Sequence, residues 1–416
     1  MLKVSISFER GVEKMFLWTE VKYQLFRNKG RSALMIFASL FLLGSMAFYQ
    51  GGMQTNENAL FELGDKIPVR VQIVVEDGSR GDGIHITSAR YDELISTGVR
   101  DVRTTAYGAG ALSETARMET PFRGGDVNIL GINAVRAMPL SHVEFTYAQG
   151  YDETVMEGSE TYCILNEDFA ADNGFVLGDS ISCEVYIYPQ GWGEYIPLGE
   201  QTLKIAGLFS SKQPCEYSML VPTGWLRAES DMQGVKYFGY ASLSMVVDDP
   251  LHLNEFKDRL IEIGMAEPVN KILEDTPYVG SAAVVEDEIY TKTANKFREI
   301  ISVYRNFMIP FFVLIAGLSC LMTFLVLRGS RREMAVASSL GKTKGKIRLT
   351  YLLTVLILYT VGCVAALPLI LLLAGLGVIG AIGLSALFLC FGSAGAYLAL
   401  ILLLRFDTME LLTKID

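Results

Sequence analysis

The sequence has few of the residues that usually carry out catalysis or hold metal ions. Its 416 residues include three histidines, His85, His142 and His252, which are too scattered to match a metal-ligand spacing. No Gly-x-Ser-x-Gly sequence occurs, and the histidines lie in unrelated contexts that give no catalytic grouping with serine or cysteine. We therefore expect a non-catalytic chain without a metal site.

A nucleotide-binding loop is also missing. Gly341-Lys342-Thr343 resembles the end of a phosphate-binding loop, but that motif needs a second glycine five positions before Gly341, where the sequence has Val336. The segment also follows an apolar run and an arginine-rich stretch, whereas the motif follows a strand. We expect no cofactor in this chain, and in particular no bound ATP or Mg²⁺.

Charged residues are scarce as well, and they are absent from long stretches. They make up 20% of the chain, below the roughly 25% of a soluble domain, while hydrophobic residues make up 50%. Four stretches without Asp, Glu, Lys or Arg reach the roughly 20 residues of a membrane span. No Asp, Glu, Lys, Arg or His lies within them, which argues against ion-driven transport. They predict transmembrane helices at 32–50, 306–327, 349–375 and 378–404, with the last turn at Gly375, Gly377 and Gly380.

The distribution of charge predicts an orientation in the membrane. The net charge of -10 is the sum of -20 for residues 51–300 (19 Lys+Arg, 39 Asp+Glu) and +10 for the rest (17 and 7). Because Lys and Arg stay on the cytoplasmic side, the basic residues before the first span and after the second place both termini inside. A cleaved signal peptide is the competing interpretation of the first span, since Ser45 and Ala47 resemble a cleavage site.

Short cytoplasmic segments are expected at both ends of the chain. Within residues 1–31, Leu17, Val21 and Leu25 are four apart, which is typical of an interfacial helix or of a helical extension of the first span. Residues 405–416 are predicted as a cytoplasmic tail. The fold class is thus an α-helical integral membrane protein with four transmembrane helices and a large α+β extracytoplasmic domain inserted between helices 1 and 2.

The outer region, residues 51–305, shows a strand-helix-strand pattern near each end. Val69, Val71, Ile73 and Val75 alternate as in a half-buried strand, and a strand followed by a helix recurs from residue 241 onward. We therefore predict one α+β subdomain split over 65–120 and 238–283, an inserted β-rich subdomain at 121–237, and a stalk helix at 284–305.

The six cysteines fall into two groups. Cys320, Cys363 and Cys390 lie in predicted spans and are expected to act as small apolar side chains. The other three face an oxidising compartment, where a disulfide between two of Cys163, Cys183 and Cys215 is expected as often as none.

Residues 328–348 form a basic cytoplasmic segment between the second and third spans. Arg331 to Leu340 predict a short helix that ends at Gly341. The plain interpretation is a solvated positive loop, as many membrane proteins have. The more specific interpretation is a docking helix for a cytoplasmic motor.

Taken in order, these features resemble the FtsX/MacB-type permeases of ABC transporters, the type VII or mechanotransmission class, in the four-span form without a fused ATPase. That family carries an arginine-rich segment with a glutamate and an Ala-Leu-Gly run after the second span. Here Arg328, Arg332, Glu333, Leu340 and Gly341 occupy those places, although Ser339 stands where alanine is common. Residues 28–32 are similar to the family's approach to span one. The outer region is similar to a MacB-like periplasmic core at 127–133, 165–170, 178–181 and 203–208.

The resemblance implies a permease subunit in the cell membrane of a bacterium, paired with an identical or different second permease and bound to a cytoplasmic ABC ATPase dimer that holds ATP and Mg²⁺. It implies that the outer domain moves to export or extract a peptide, lipoprotein or amphiphilic drug, with or without an accessory protein; the acidic outer surface excludes nucleic acid. The alternatives are an FtsX-like regulator of a cell-wall hydrolase and a membrane-anchored receptor without ATP coupling. The ATPase-coupling residues implied are Arg328, Arg331, Arg332, Glu333, Met334, Leu340 and Gly341.

Overall fold

The structure, a computed structural model of the chain, describes residues 18–117, 125–188, 195–235, 238–268, 281–373 and 375–403. The chain forms two compact units. The first comprises Met1–Glu62 and Thr293–Asp416, and the second comprises Leu63–Lys292. The predicted tail at 405–416 and the first seventeen residues of the predicted interfacial segment lie outside the described residues.

The α-helices and β-strands lie along the chain as follows. The helices are α1 (18–27), α2 (Lys29–Phe61), α3 (Leu63–Lys66), α4 (Ser88–Ile95), α5 (Glu167–Asn173), α6 (Thr223–Met232), α7 (Leu253–Glu262), α8 (Glu288–Arg328), α9 (Arg331–Ser339), α10 (Lys344–Leu373) and α11 (Val378–Leu403). The strands are β1 (Arg70–Val75), β2 (Ile86–Thr87), β3 (Val99–Ala111), β4 (Val127–Ile132), β5 (Val143–Tyr147), β6 (Tyr162–Asn166), β7 (Ser180–Ile187), β8 (Ile196–Ser211), β9 (Met219–Pro222), β10 (Gly239–Tyr240), β11 (Ser242–Val247) and β12 (Ser281–Glu286).

The first unit contains the helices that could span a membrane. Within the described residues, α2, α8, α10 and α11 are long and apolar enough to do so. Their shared core includes Leu43, Met46 and Phe388, all fully buried. Gly392 allows the ring of Tyr359 to pack closely, because a Cβ there would lie 2.9 Å from the ring. Gly375, with φ of 61°, and Gly377 lie in the turn between α10 and α11, as predicted, whereas Gly380 lies within α11, which begins at Val378.

Two of these helices are longer than the spans that hydropathy predicted. α2 has 33 residues and α8 has 41, or about 50 and 60 Å against a hydrocarbon core of about 30 Å. The predicted stalk helix at 284–305 begins at Glu288, because β12 continues to Glu286, and it runs without a break into the second span. The ring of Tyr49 stacks on Phe311 at 4.5 Å and links α2 to α8.

In the second unit, one wall is a four-stranded antiparallel sheet in the order β12-β1-β11-β3. Val71 and Ile73 of β1 are fully buried while Arg70 and Gln72 are exposed, as the period-two pattern predicted. Helix α7 has an apolar face formed by Leu253, Phe256 and Leu260, all of which are buried.

Strand β3 and five further strands close into a six-stranded barrel. β3 pairs with β4 on one side and β7 on the other, and the ring continues from β4 through β9, β6 and β8 back to β7. Ile129, Met219 and Leu165 are opposite one another in the register, so they share one face of the barrel wall, and all three are fully buried. The closed ring leaves none of these six strands as a free edge along its paired length.

The two predicted parts of the outer region are joined within one sheet. The first half of β3 pairs with β11, and its second half pairs with β4 and β7. The predicted split subdomain is therefore joined to the first half of β3, and the predicted insertion to its second half. The sequence pattern suggested two subdomains, because the alternation of apolar and polar residues within one strand does not show that β3 belongs to both. Residues 118–124, which include the first predicted boundary, lie outside the described residues.

Candidate coupling surface

Helix α9 begins and ends where its residues favour it. Glu333 lies in the first turn, where a negative charge is favourable at the positive end of the helix. At the other end, the amide of Gly341 donates to the carbonyl of Ser338 (3.1 Å), and that of Lys342 donates to the carbonyl of Ala337 (3.2 Å). These two bonds define a Schellman motif. Gly341 has φ of 86°, which only glycine adopts without strain.

The two faces of α9 differ sharply in exposure. Met334 and Ala335 are buried against the other helices of the first unit. On the opposite face, Arg332, Val336 and Leu340 follow one another at intervals of four and are exposed; Leu340 is 81% exposed and Val336 49%. Met334, which the resemblance placed among the ATPase-coupling residues, is thus 3% exposed and packs α9 onto its own unit. We name Arg332, Val336 and Leu340 the coupling stripe.

Helix α1 holds α9 from the side through two ion pairs. Arg27 Nη2 lies 3.8 Å from Glu333 Oε1, and Lys342 Nζ lies 2.5 Å from Glu20 Oε1. Because the side chains of the second pair are only about a third exposed, this pair is less screened than a surface pair. The two pairs connect both ends of α9 to the same short helix, the Arg27–Glu333 pair more weakly because the Arg27 side chain is 62% exposed.

The link between α8 and α9 is supported in the same way. Arg31 Nη1 donates to Ser330 Oγ at 3.4 Å, and a Cβ at Gly329 would lie 2.7 Å from the Arg31 guanidinium. Gly329 therefore makes room for that side chain at the bend. Of the other residues in the predicted set, Arg328 ends α8 and is exposed, and Arg331 begins α9 and is half-buried.

A groove of about 530 Å³ runs between α1 and α9. Of the predicted coupling residues, Arg332, Glu333 and Leu340 line it, while Arg328, Arg331, Met334 and Gly341 do not. Its other lining residues are Glu20, Tyr23, Gln24, Arg27, Val336, Ala337, Lys342, Ile347, Thr350 and Tyr351. Basic, acidic and apolar side chains alternate around an open cleft, which suits a protein surface better than a small molecule.

Sequence reasoning missed two parts of this surface. The first part is Val336, which in the sequence stands where a phosphate loop would have glycine. Its spacing of four from both Arg332 and Leu340 puts it on the same helix face as those two residues. The partners Glu20 and Arg27 come from a helix some 300 residues away in the sequence, so no local pattern points to them. Across the described residues, no cluster of three His, Cys, Asp or Glu could hold a metal ion.

The three outer cysteines have different surroundings. Cys163 and Cys183 are fully buried in the barrel, and Cys215 is half-buried. The structure records all three as free thiols. Burial raises the pKa of Cys183 to about 12 and raises that of Cys163 as well. Both therefore remain neutral thiols at physiological pH.

Comparison of the sequence with protein-family models gives no match, and comparison with curated proteins gives none either. Among solved structures, the chain is similar to the periplasmic region of MacB from Actinobacillus actinomycetemcomitans. The identity is 8%, the alignment covers 54% of this chain and 92% of the other, and the TM-score is 0.28. A similarity at that level supports no conclusion about fold or function.

Proposed function

We propose that this chain is the permease subunit of an ABC transporter. In this proposal a separate cytoplasmic ATPase binds the coupling stripe, and its ATP cycle moves the extracytoplasmic region to export or extract a peptide, lipoprotein or amphiphilic drug. The chain itself supplies no catalytic group. The observation that carries the proposal is the exposed stripe of Arg332, Val336 and Leu340 on a short, firmly held helix.

An apolar stripe of this kind calls for a partner. Leu340 and Val336 project from a helix outside the four apolar stretches, next to Arg332 and Lys342, and their exposure to water is unfavourable. An exposed apolar patch with a polar rim is typical of a protein interface. The basic neighbours favour the cytoplasmic side for this interface by the positive-inside rule, and that is the side where an ATPase would be found.

The connections of α9 allow a movement to be passed on. Only Gly329 and Ser330 separate α9 from α8, and the ion pairs to α1 join it to the helix that leads into α2. Both α8 and α2 extend past the apolar core, so a displacement of α9 would act on two long helices at once. A purely structural anchor would not need an exposed, capped helix held at both ends.

The test is the recovery of the native ATPase with the tagged full chain from membranes. The double variant Val336→Lys/Leu340→Lys is expected to reduce the recovered ATPase at least about tenfold, as loss of central apolar contacts does in other interfaces. The matched control is Met232→Lys/Ile261→Lys, which makes the same two changes at apolar side chains 71% and 60% exposed on the second unit. If no ATPase accompanies the wild-type chain, or the double variant recovers as much, the proposal is wrong.

A further inference from the structure

Strand β5 is paired on one side only within the described residues. It lies at the end of the strand order and pairs with β8 alone. The amide of Ala148, just after β5, donates to the carbonyl of Ala206 at 2.9 Å. In an antiparallel pair, successive residues direct their amide and carbonyl groups alternately toward the partner strand and away from it. Because Ala148 bonds to β8, the amides and carbonyls of Val143, Phe145 and Tyr147 face away from β8.

This edge lacks two of the features that normally prevent strand addition, and its one charged residue is Glu144. The sequence Val143–Tyr147 contains neither proline nor lysine, the two residues that most often block an open edge. Its length of five residues suits an added strand of similar length. The edge is therefore able to accept an extended peptide by main-chain hydrogen bonds.

Aromatic rings lie on β5, just after it, and on β6 on the other side of β8. Phe145 and Tyr147 stack at 6.1 Å, and Tyr151 meets Tyr162 edge to face at 5.3 Å. These rings are half-buried and pack against the outer wall of the barrel. The ammonium group of Lys204 lies 5.3 Å from the centre of the Tyr151 ring, so this ring already holds a cation at its face.

The charge around β5 is mainly negative, although Lys212 lies 3.5 Å from Glu144 and Lys204 lies at the Tyr151 ring. Between Arg136 and Lys204 the sequence contains 12 Asp and Glu and neither Lys nor Arg. This stretch includes β5, and Glu144, Asp152 and Glu153 are all exposed. Burial raises the pKa of Tyr147, and the charges of Glu153 and Asp152 raise it further.

We propose that β5 binds a lysine- or arginine-rich peptide segment as an added strand, with its cationic side chains on the aromatic rings and the surrounding carboxylates. The inference rests on the proposed function, because it names the class of cargo that the second unit would bind. A second copy of this chain is disfavoured as the occupant, because two β5 strands would bring two strongly acidic surfaces together.

The experiment measures peptide binding to the full chain in an uncharged detergent. The probe is a synthetic eight-residue peptide of alternating lysine and valine. One control peptide alternates glutamate and valine, and another is the lysine peptide N-methylated at alternate amides on its strand-pairing edge. We expect saturable binding of the first peptide, at least about tenfold weaker binding of both controls, and slower hydrogen exchange in residues 143–147.

Matched variants localise the effect. Glu144→Lys/Glu153→Lys should weaken binding about tenfold, while Asp172→Lys/Asp258→Lys, with the same change in net charge at exposed sites elsewhere, should not. Equal binding of the N-methylated peptide, or protection outside β5, would overturn the proposal. So would slower exchange in β5 that depends on protein concentration without peptide, since it would indicate a second copy. The ATPase takes no part in this measurement, so its outcome is independent of the coupling test.

Discussion

The guanidinium of Arg27 lies 3.8 Å from the carboxylate of Glu333 and joins helix α1, ahead of the first span, to helix α9, after the second. A second pair between Lys342 and Glu20 joins the same two helices at the other end of α9. The coupling stripe is therefore carried by an element fixed at both ends. A force applied to it would reach α2 as well as α8.

The Lys342–Glu20 pair can be tested by exchanging its charges. Glu20→Lys and Lys342→Glu each place like charges together, and each should lower the stability of the first unit by about 1 kcal/mol and reduce ATPase recovery. The double exchange should restore part of both, because the pair is rebuilt in reverse. Thermal unfolding in detergent and ATPase recovery give the two measurements. Equal loss in the single and double variants would show that the pair does not couple the helices.

Gly341 should be required for the conformation of its backbone. Its φ is 86°, and no atom of another residue lies within 4 Å of the position that a Cβ would take, so Gly341→Ala introduces strain without a clash. We expect a loss of about 1–2 kcal/mol in stability and weaker ATPase recovery. Gly341→Asn should lose less, because asparagine tolerates the left-handed region. Thermal unfolding of both variants decides the matter, and an alanine variant as stable as wild type would contradict it.

The apolar helices and the terminal glycine of α9 were accessible from the sequence because they depend on local patterns. The absence of charge from 32–50 and 306–327 marks the membrane segments, and Gly341 marks a helix end. The full lengths of α2 and α8 were not accessible, since polar residues such as Asn56 continue a helix that hydropathy cannot follow. The barrel was also missed, because closure depends on β3 pairing with β7 about 75 residues later in the chain.

The candidate site was also predicted only in part. The position of α9 along the chain was predicted from its basic residues and its glycine. Which residues face outward was not, since Met334 and Leu340 are both apolar and only packing shows that Met334 is buried and Leu340 is exposed. The partners on α1 depend on tertiary contact, which no spacing in the sequence encodes.

A buried polar cluster joins two of the apolar helices. The hydroxyl of Tyr359 lies 2.8 Å from Ser319 Oγ and 2.7 Å from Thr323 Oγ1. Tyr359→Phe removes the shared hydroxyl and should lower stability by about 0.6–1.7 kcal/mol. Tyr397→Phe, at a ring 52% exposed, is the control and should have no effect. Thermal unfolding in detergent measures both, and equal melting temperatures for the two variants would contradict the expectation.

The orientation remains a prediction from the positive-inside rule. Tags at residues 1, 340 and 416 should be protected from protease added outside the cell, and a tag at residue 150 should be cleaved once the wall is made permeable. The reason is the reluctance of basic residues to cross the membrane, which places seven Lys and Arg of the segment 328–348 inside. Cleavage at residue 340 in sealed cells would reverse the topology.

The two buried thiols of the barrel predict how stability depends on pH. In the unfolded chain a thiol ionises near pH 8.5, whereas burial raises the pKa of Cys183 to about 12 and also raises that of Cys163. The folded state therefore keeps protons that the unfolded state releases. This contribution to stability is complete below pH 8.5 and is lost as the pH rises above it, by about 1.4 kcal/mol per thiol at pH 9.5.

Comparison with Cys163→Ala/Cys183→Ala isolates this effect, because tyrosines and lysines titrate alike in both proteins. Between pH 7.5 and 9.5 the free energy of unfolding, measured with urea and tryptophan fluorescence, should fall by about 2–3 kcal/mol more in the wild type than in the variant. The same fall in both proteins would mean that these cysteines are not free thiols in the folded state. A disulfide between them would have that result, since a bonded pair has no proton to release.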